Sequence, residues 1–425
     1  MQLFAESALL PEGWARNVLI QAGPDGTIAA VTPNAPPLRV QREGLEKAAG
    51  PVVPGMPNLH SHAFQRAMTG LAEQRGDDPE NDDFWSWRET MYGIARRITP
   101  EIMEAVAAQL FVEQLKGGYT AVGEFHYVHH QPSGQPYAEP AEMALRVAAA
   151  ARTAGIGLTL LPVLYQTSDF GGKEAKPEQR RFVCKTDQFL ALHASLAAKL
   201  RADPTVRIGI APHSLRAVTP QSLADAVLAV TQKDSTAPVH IHVAEQRKEV
   251  EGCKAWSGLR PVEWLLRKAP VGPRWCFVHA THLSELETQQ LAQSEIVVGL
   301  CPTTEANLGD GLFPGVMFWE HGGRFGIGSD SQITVNAGEE LRLLEYGQRL
   351  SRRKRAQLAT DKERSVGAAL WRRALAGGAQ ALSRPVGAIA KGKRADLLVL
   401  DGQHPTLIDK VDDLVLDTLV FAGNG

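Results

Sequence analysis

Cysteine is scarce in this sequence. There are four in 425 residues, at positions 184, 253, 276 and 301, with no C-x-x-C pair among them. That argues against a disulfide framework or a thiolate zinc site, and it fits a reducing compartment. Excess charge is missing too. The 45 Lys and Arg against 47 Asp and Glu leave a net charge of −2, so nothing draws the chain toward nucleic acid or an anionic membrane. The one basic run, Arg352-Arg353-Lys354-Arg355, reads as a solvated helix face. No apolar run is long enough to cross a bilayer. The N-terminal stretch MQLFAESALLPEG carries Glu6 and lacks the basic start of a signal peptide. Low-complexity tracts and short repeats are absent. A soluble, cytoplasmic protein is expected.

What is present is an alternation. Eight β-rich runs, from GPVVPGMPNLHSH through YTAVGEFHYV, GIGLTLLPVLYQ, VRIGIAPHSL, APVHIHVAEQ, WCFVHATHL and EIVVGLCPTT to RFGIGSDSQ, are separated by Ala/Leu-rich stretches. Helices are predicted at 101–116, 140–154, 186–201, 221–231 and 284–293. Near-continuous apolar strands between helices mean a parallel sheet. Eight such units fit a (β/α)8 barrel, with a doubly wound sheet as the second choice. The ends differ. NVLIQAGPDGTIAAVTPN is two strands around a Pro-Asp-Gly turn, and the tail GKRADLLVLDGQHPTL is again strand-like. One small β domain built from both termini is expected, with residues 1–50 and 381–425 in it and 51–380 in the barrel.

In such a barrel the reactive groups stand where strands end. Strand 1 ends in His60 and His62, strand 4 in His213 and Arg216, and strand 8 in Asp330. Strand 5 carries His240, His242 and Glu245, and strand 6 carries His279 and His282. Two histidines one residue apart on a strand share a face. A lone strand-end histidine is usually a hydrogen-bonded structural residue. Imidazoles and a carboxylate at several strand ends of one barrel are better explained by one metal, zinc by default and iron(II) as the alternative. His240, on the same face as His242, is expected to be structural. His126, His129, His130 and His282 are expected to be supporting residues, not ligands. The stretch DFWSWRETMY reads as helix packing, with Arg88 its one functional member.

The set H-x-H after strand 1, His after strands 5 and 6, and Asp after strand 8 resembles the amidohydrolase superfamily, over nearly the whole chain. No lysine lies at a barrel strand end, so the resemblance implies one metal ion, not a lysine-bridged pair. Within the superfamily, MPNLHSHAFQRAMTGLAE, APHSLRAVTP, HIHVAEQ and GSDSQ are similar to the N-formimidoyl-L-glutamate deiminases of histidine breakdown. That resemblance implies zinc held by His60, His62, His242 and Asp330. It implies proton transfer by Glu245 and His279, and substrate contacts from Gln65, Arg88, Tyr127, His213 and Arg216. Arg88 and Tyr127 are expected on long loops. The family usually continues past VFAGNG into another strand. A small-molecule substrate, water and a homodimer are the partners expected.

The chemistry fits these residue types. Hydrolysing an amidine needs hydroxide at neutral pH, and bound zinc lowers the pKa of water to about 7. Asp330 would be both ligand and proton acceptor, and His279 would orient or deprotonate the water. Glu245 lies three residues after His242, so the strand must end between them for both to reach one site. There its carboxyl can protonate departing ammonia. Two other readings are open. A ring-amidine deaminase would share the metal set but want stacking and amide contacts in place of arginines. A metal-free assembly barrel would have lost its ligands, and this chain keeps them.

Overall fold

The computed structural model describes residues 1–36, 44–74 and 84–423. At the start of the chain, β1 (Gln2–Leu10), β2 (Gly13–Ala22), β3 (Ile28–Thr32), β4 (Leu45–Lys47) and β5 (Val52–Pro54) form most of one sheet. The β2–β3 connection uses the expected turn chemistry. Gly26 takes a φ of +78°, and the Asp25 carboxylate accepts from the Thr27 N–H at 3.0 Å.

The barrel strands follow: β6 (Met56–Ser61), β7 (Tyr119–His126) and β8 (Gly157–Leu164). After a hairpin of β9 (Thr167–Asp169) and β10 (Lys173–Glu174) come β11 (Val206–Ile208) and β12 (Ala211–Pro212), which share the fourth barrel position. Then come β13 (Val239–Val243), β14 (Trp275–His279), β15 (Val297–Leu300) and β16 (Arg324–Ile327). Neighbours pair in parallel, β16 pairs back to β6 through Ile327 and Asn58, and Ile210 bridges Val239 to close the ring. All eight predicted runs are barrel strands. Every residue of β8, and all of β7 but Thr120, is buried or nearly so, which is why they lack alternation.

The helices are α1 (Phe84–Ala95), α2 (Pro100–Lys116), α3 (Glu142–Ala154), α4 (Thr186–Lys199), α5 (Pro220–Lys233), α6 (Arg247–Ser257) and α7 (Pro261–Lys268). They continue with α8 (Glu285–Gln293), α9 (Pro302–Asn307), α10 (Gly315–Glu320), α11 (Ala337–Arg352), α12 (Val366–Ala381) and α13 (Asp413–Phe421). The five predicted helices lie within a few residues of their observed bounds because caps set their starts. Thr99, Thr219 and Ser284 each accept a backbone N–H from the first turn.

The ends are less tidy than expected. Val52–Pro54 lies beyond the expected boundary at residue 50, yet it pairs with β1 and with β17 (Leu397–Val399) in the terminal sheet. The expected C-terminal β part contains helix α13, which packs on α11 and α12 of the barrel; the Gly367 N–H donates to Asp417 at 2.8 Å. Its apolar side, Val415, Leu416 and Val420, is buried there. The basic run straddles the end of α11. Arg352 ends the helix and Arg353 turns the chain with a φ of +56°, so three of the four cations lie in an exposed turn instead of on a helix face. All four cysteines are buried and unpaired.

Helix α12 presses against β16 at Gly377. A Cβ there would lie 1.9 Å from the Phe325 carbonyl oxygen. Gly377→Ala is therefore expected to cost about 1–3 kcal/mol of stability, read as a lower midpoint in thermal unfolding. An unchanged midpoint would mean that the helix does not approach so closely.

Candidate active site and metal centre

The mouth of the barrel is where its backbone is most strained. Ala244, His279, Ala280, Asp330 and Gln332 all have positive φ, between +46° and +69°, a region that non-glycine residues rarely enter. These are the turns that follow β13, β14 and β16. The strand carrying His242 ends at Val243, and the turn at Ala244 brings Glu245 to the same side, as its spacing requires.

Four buried side chains converge. His60 Nε2 lies 3.0 Å from His242 Nε2. Asp330 Oδ1 lies 3.5 Å from His60 Nε2 and 3.4 Å from His62 Nε2. His62 donates Nδ1–H to the Phe125 carbonyl at 2.9 Å, which leaves the Nε2 lone pair facing inward. Burial holds all three imidazoles neutral: His60 is lowered to about 3, His62 is lowered, and His242 falls well below the usual histidine value. Asp330 moves the other way. Burial opposes its ionisation, but contact with the His60 ring and the cationic His279 hold it below the usual carboxylate range. Three neutral imidazoles whose Nε2 atoms converge, one of them with its lone pair fixed inward, and one ionised carboxylate fit a divalent cation, and imidazole with carboxylate suits zinc or iron(II).

His279 stands beside this group. Its Nε2 is 3.7 Å from Asp330 Oδ2 and 3.8 Å from Glu245 Oε1. Its Nδ1 is 3.2 Å from Glu305 Oε1, which also accepts the Cys301 N–H at 2.9 Å. Burial would lower its pKa, but Glu245, then Glu305 and Asp330, raise it to about 10. Burial raises Glu245 to about 7, with His279 pulling down and Asp330 pushing up. Glu249 accepts the N–H groups of Ala244 (3.0 Å) and Glu245 (3.2 Å), pinning the strained turn.

A cavity opens onto these groups and is lined by every expected substrate contact: Gln65, Arg88, Tyr127, His213 and Arg216. Gln65 donates to the Tyr127 hydroxyl at 2.8 Å. Arg216 is 6% exposed, and the Nε atoms of Arg88 and Arg216 are buried without a hydrogen-bond partner. Both guanidiniums lie over the Trp85 ring, 4.3 and 5.6 Å from its centroid. His213 is held well below the usual histidine value by burial and then by Arg216.

Two placements correct the sequence reading. Arg88 is on helix α1, and Tyr127 directly follows β7, so neither hangs on a long loop. His240 is structural as expected, its ring bonded to the Ala381 carbonyl at 2.8 Å. His126, His129 and His130 are buried, the last two bonded to backbone carbonyls. The sequence reading gave no role to Glu249, Glu305, Tyr165 and Gln179, and it took Tyr92 as helix packing within DFWSWRETMY. Tyr165, directly after β8, and Glu305, five residues after β15 in CPTTE, carried a strand-end signal.

A closed parallel barrel with a metal-fitting group at its C-terminal mouth is the architecture of a metal-assisted hydrolase. The amidohydrolase family pattern matches residues 52–424, and the pattern described as the formimidoylglutamate deiminase HutF N-terminal domain matches residues 2–38. The formimidoylglutamate deiminase of Pseudomonas aeruginosa is 54% identical over 99% of this chain and 90% of its own length. The 8-oxoguanine deaminase of the same organism is 29% identical over 81% of this chain and 73% of its own. The crystal structure of an amidohydrolase from Brucella melitensis superposes with a TM-score of 0.91 at 49% identity, over 99% of this chain and 91% of that one. The chain belongs to the amidohydrolase family and, within it, to the formimidoylglutamate deiminases.

Protein purified without added metal is expected to hold about one divalent ion per chain, and the His60→Ala, His62→Ala double variant close to none, by elemental analysis. Metal retained by the double variant would place the ion elsewhere.

Proposed function

We propose that this protein hydrolyses N-formimidoyl-L-glutamate to N-formyl-L-glutamate and ammonia, a step of histidine degradation, with one zinc held by His60, His62, His242 and Asp330. The observation that carries the reading is one cavity that joins the metal-fitting group to two guanidiniums, the buried Arg216 and the half-buried Arg88, whose Nε atoms are buried without partners. The substrate has one amidinium and two carboxylates. Arginine meets a carboxylate through two parallel hydrogen bonds, and a ring amidine would leave both guanidiniums unmatched.

A divalent cation held by His60, His62, His242 and Asp330 would supply a water whose pKa is about 7. The rest falls to the protein. Asp330 Oδ2, the oxygen turned toward His279, accepts the water's proton as its oxygen attacks the formimidoyl carbon. His279, held by Glu305, orients the water and steadies the negative charge on its oxygen as it attacks. Glu245, raised to about 7 by burial, passes between its protonated and ionised forms near neutral pH, so it can give its proton to the departing nitrogen. The C–N bond then breaks to ammonia, the added hydroxyl gives its remaining proton to the now ionised Glu245, and the formyl amide remains. Arg88 and Arg216 hold the carboxylates while Gln65, Tyr127 and His213 add bonds around the amidine.

Glu245→Gln and His279→Asn are each expected to keep their metal and lose about 10²-fold or more in kcat. Near-normal turnover with metal bound would remove the proton-transfer role from that residue. Arg216→Met is expected to lower kcat/KM for formimidoylglutamate by roughly 30-fold to several thousandfold, the loss typical of breaking a buried charged pair, with metal content unchanged. The loss should be smaller for an analogue lacking the carboxylate that Arg216 holds. An equal loss for both compounds would mean that Arg216 is no clamp. Faster turnover of guanine or an adenosine derivative by the unaltered protein would replace the formimidoylglutamate reading.

A further inference from the structure

Two phenols share the cavity with Arg88 and Arg216: Tyr92, from α1, and Tyr165, just after β8. Both are buried, at 2% and 5% exposure. Behind them lies Gln179, fully buried, at the end of the short 3-10 turn Pro177–Gln179. The orientation of its amide is set by the backbone, because Gln179 Oε1 accepts the Lys176 N–H at 2.8 Å. The amide nitrogen therefore faces the phenols, donating to the Tyr165 hydroxyl at 2.7 Å and the Tyr92 hydroxyl at 3.2 Å.

This fixes the polarity of both phenols. Each hydroxyl oxygen already accepts from Gln179, so each hydroxyl hydrogen must point elsewhere. One of the two can be spent between the phenols themselves. Apart from that, no acceptor among the described residues takes either hydrogen, and the open direction is the cavity. Burial raises the Tyr165 pKa, so this phenol stays a donor at any ordinary pH. The ring of Tyr165 stacks edge-on against His213 at 4.7 Å, and the Arg88 guanidinium lies 5.5 Å from the Tyr92 ring. A donor beside two guanidiniums and remote from any internal acceptor is matched by a carboxylate oxygen.

We infer that the Tyr92–Tyr165 pair is a substrate-binding element, which presents a hydroxyl hydrogen to the carboxylate of the substrate farther from the formimidoyl group, and that Gln179 is the positioning residue that turns the pair toward it. This rests on the dicarboxylate reading above. It gives the site a way to prefer a carboxylate to an amide at that position. A forward donor beside two guanidiniums suits an oxygen anion, and the amine side of an amide would meet donor against donor.

The test uses the metal-loaded protein and two compounds, N-formimidoyl-L-glutamate and N-formimidoyl-L-glutamine, whose distal carboxylate is an amide. Tyr92→Phe and Tyr165→Phe keep the rings and remove only the hydroxyls. Each is expected to raise KM for formimidoylglutamate about tenfold, as losing a hydrogen bond to a charged group does, with kcat within about twofold. KM for the glutamine compound should move less, so selectivity between the two narrows. Gln179→Glu keeps an acceptor for Lys176 but turns the donor to the phenols into an acceptor. It is expected to draw the hydroxyls away from the cavity and raise KM likewise. If both Phe variants leave KM unchanged, or lose equally on the two compounds, the inference is overturned while the dicarboxylate reading stands. If the unaltered protein turns over neither compound, both fall.

Discussion

Everything at the mouth of this barrel depends on an arrangement that is costly without its cation: three neutral imidazoles and an ionised carboxylate pressed together out of water. Burial keeps His60 and His242 from taking a second proton, so their Nε2 atoms, 3.0 Å apart, are held together either by the one N–H of a neutral ring or by a cation between them. The barrel tolerates this because its strands are anchored elsewhere. Phe125 packs against His60, His62 and His242, with centroids 5.0, 5.3 and 4.3 Å away, so the ligand rings stand on an apolar floor.

The ends of the first and last barrel strands are stitched together beneath the ligands. Asn58 donates to Ser329 Oγ at 2.7 Å, and its carbonyl oxygen accepts the Ser329 N–H at 3.1 Å. Ser329 Oγ in turn donates to Gln332, which reaches Ser61 at 3.0 Å and the Asp330 carbonyl. This polar network fixes the turn on which Asp330 takes its positive φ. Fully satisfied buried networks of this kind rigidify a site. The strain at Ala244 is held in the same way by the Glu249 carboxylate. Residues that never meet substrate thus decide the angles at which Asp330 and Glu245 do.

Charge is graded across the cavity. At the barrel end, carboxylates surround His279. At the outer end, Arg88 and Arg216 face the same space with Trp85 beneath them. A substrate with its cationic amidine at one end and carboxylates at the other matches both ends in one orientation, which places the reacting carbon beside the metal-fitting group. In a chain of net charge −2, this polarity comes from where the charges are placed, not from their number.

Much of this was legible in the residues alone, where the signal was local. H-x-H at a strand end, H-x-x-E across a strand terminus and an aspartate after the last apolar run each combine a chemical type with a short spacing, and strand geometry turns spacing into direction. The eight apolar runs determined the barrel for the same reason. The tertiary structure alone decided what depends on long sequence separations. Glu305 bonds to His279 across 26 residues and Gln179 to Tyr92 across 87, and no periodicity links such pairs. Arg88 was readable as the functional member of a helix-packing stretch, but not that its guanidinium lies over the Trp85 indole. The polarity of the two phenols needed more still. It depends on which way one buried amide faces, and that is set by a backbone N–H that becomes its neighbour only when the chain has folded.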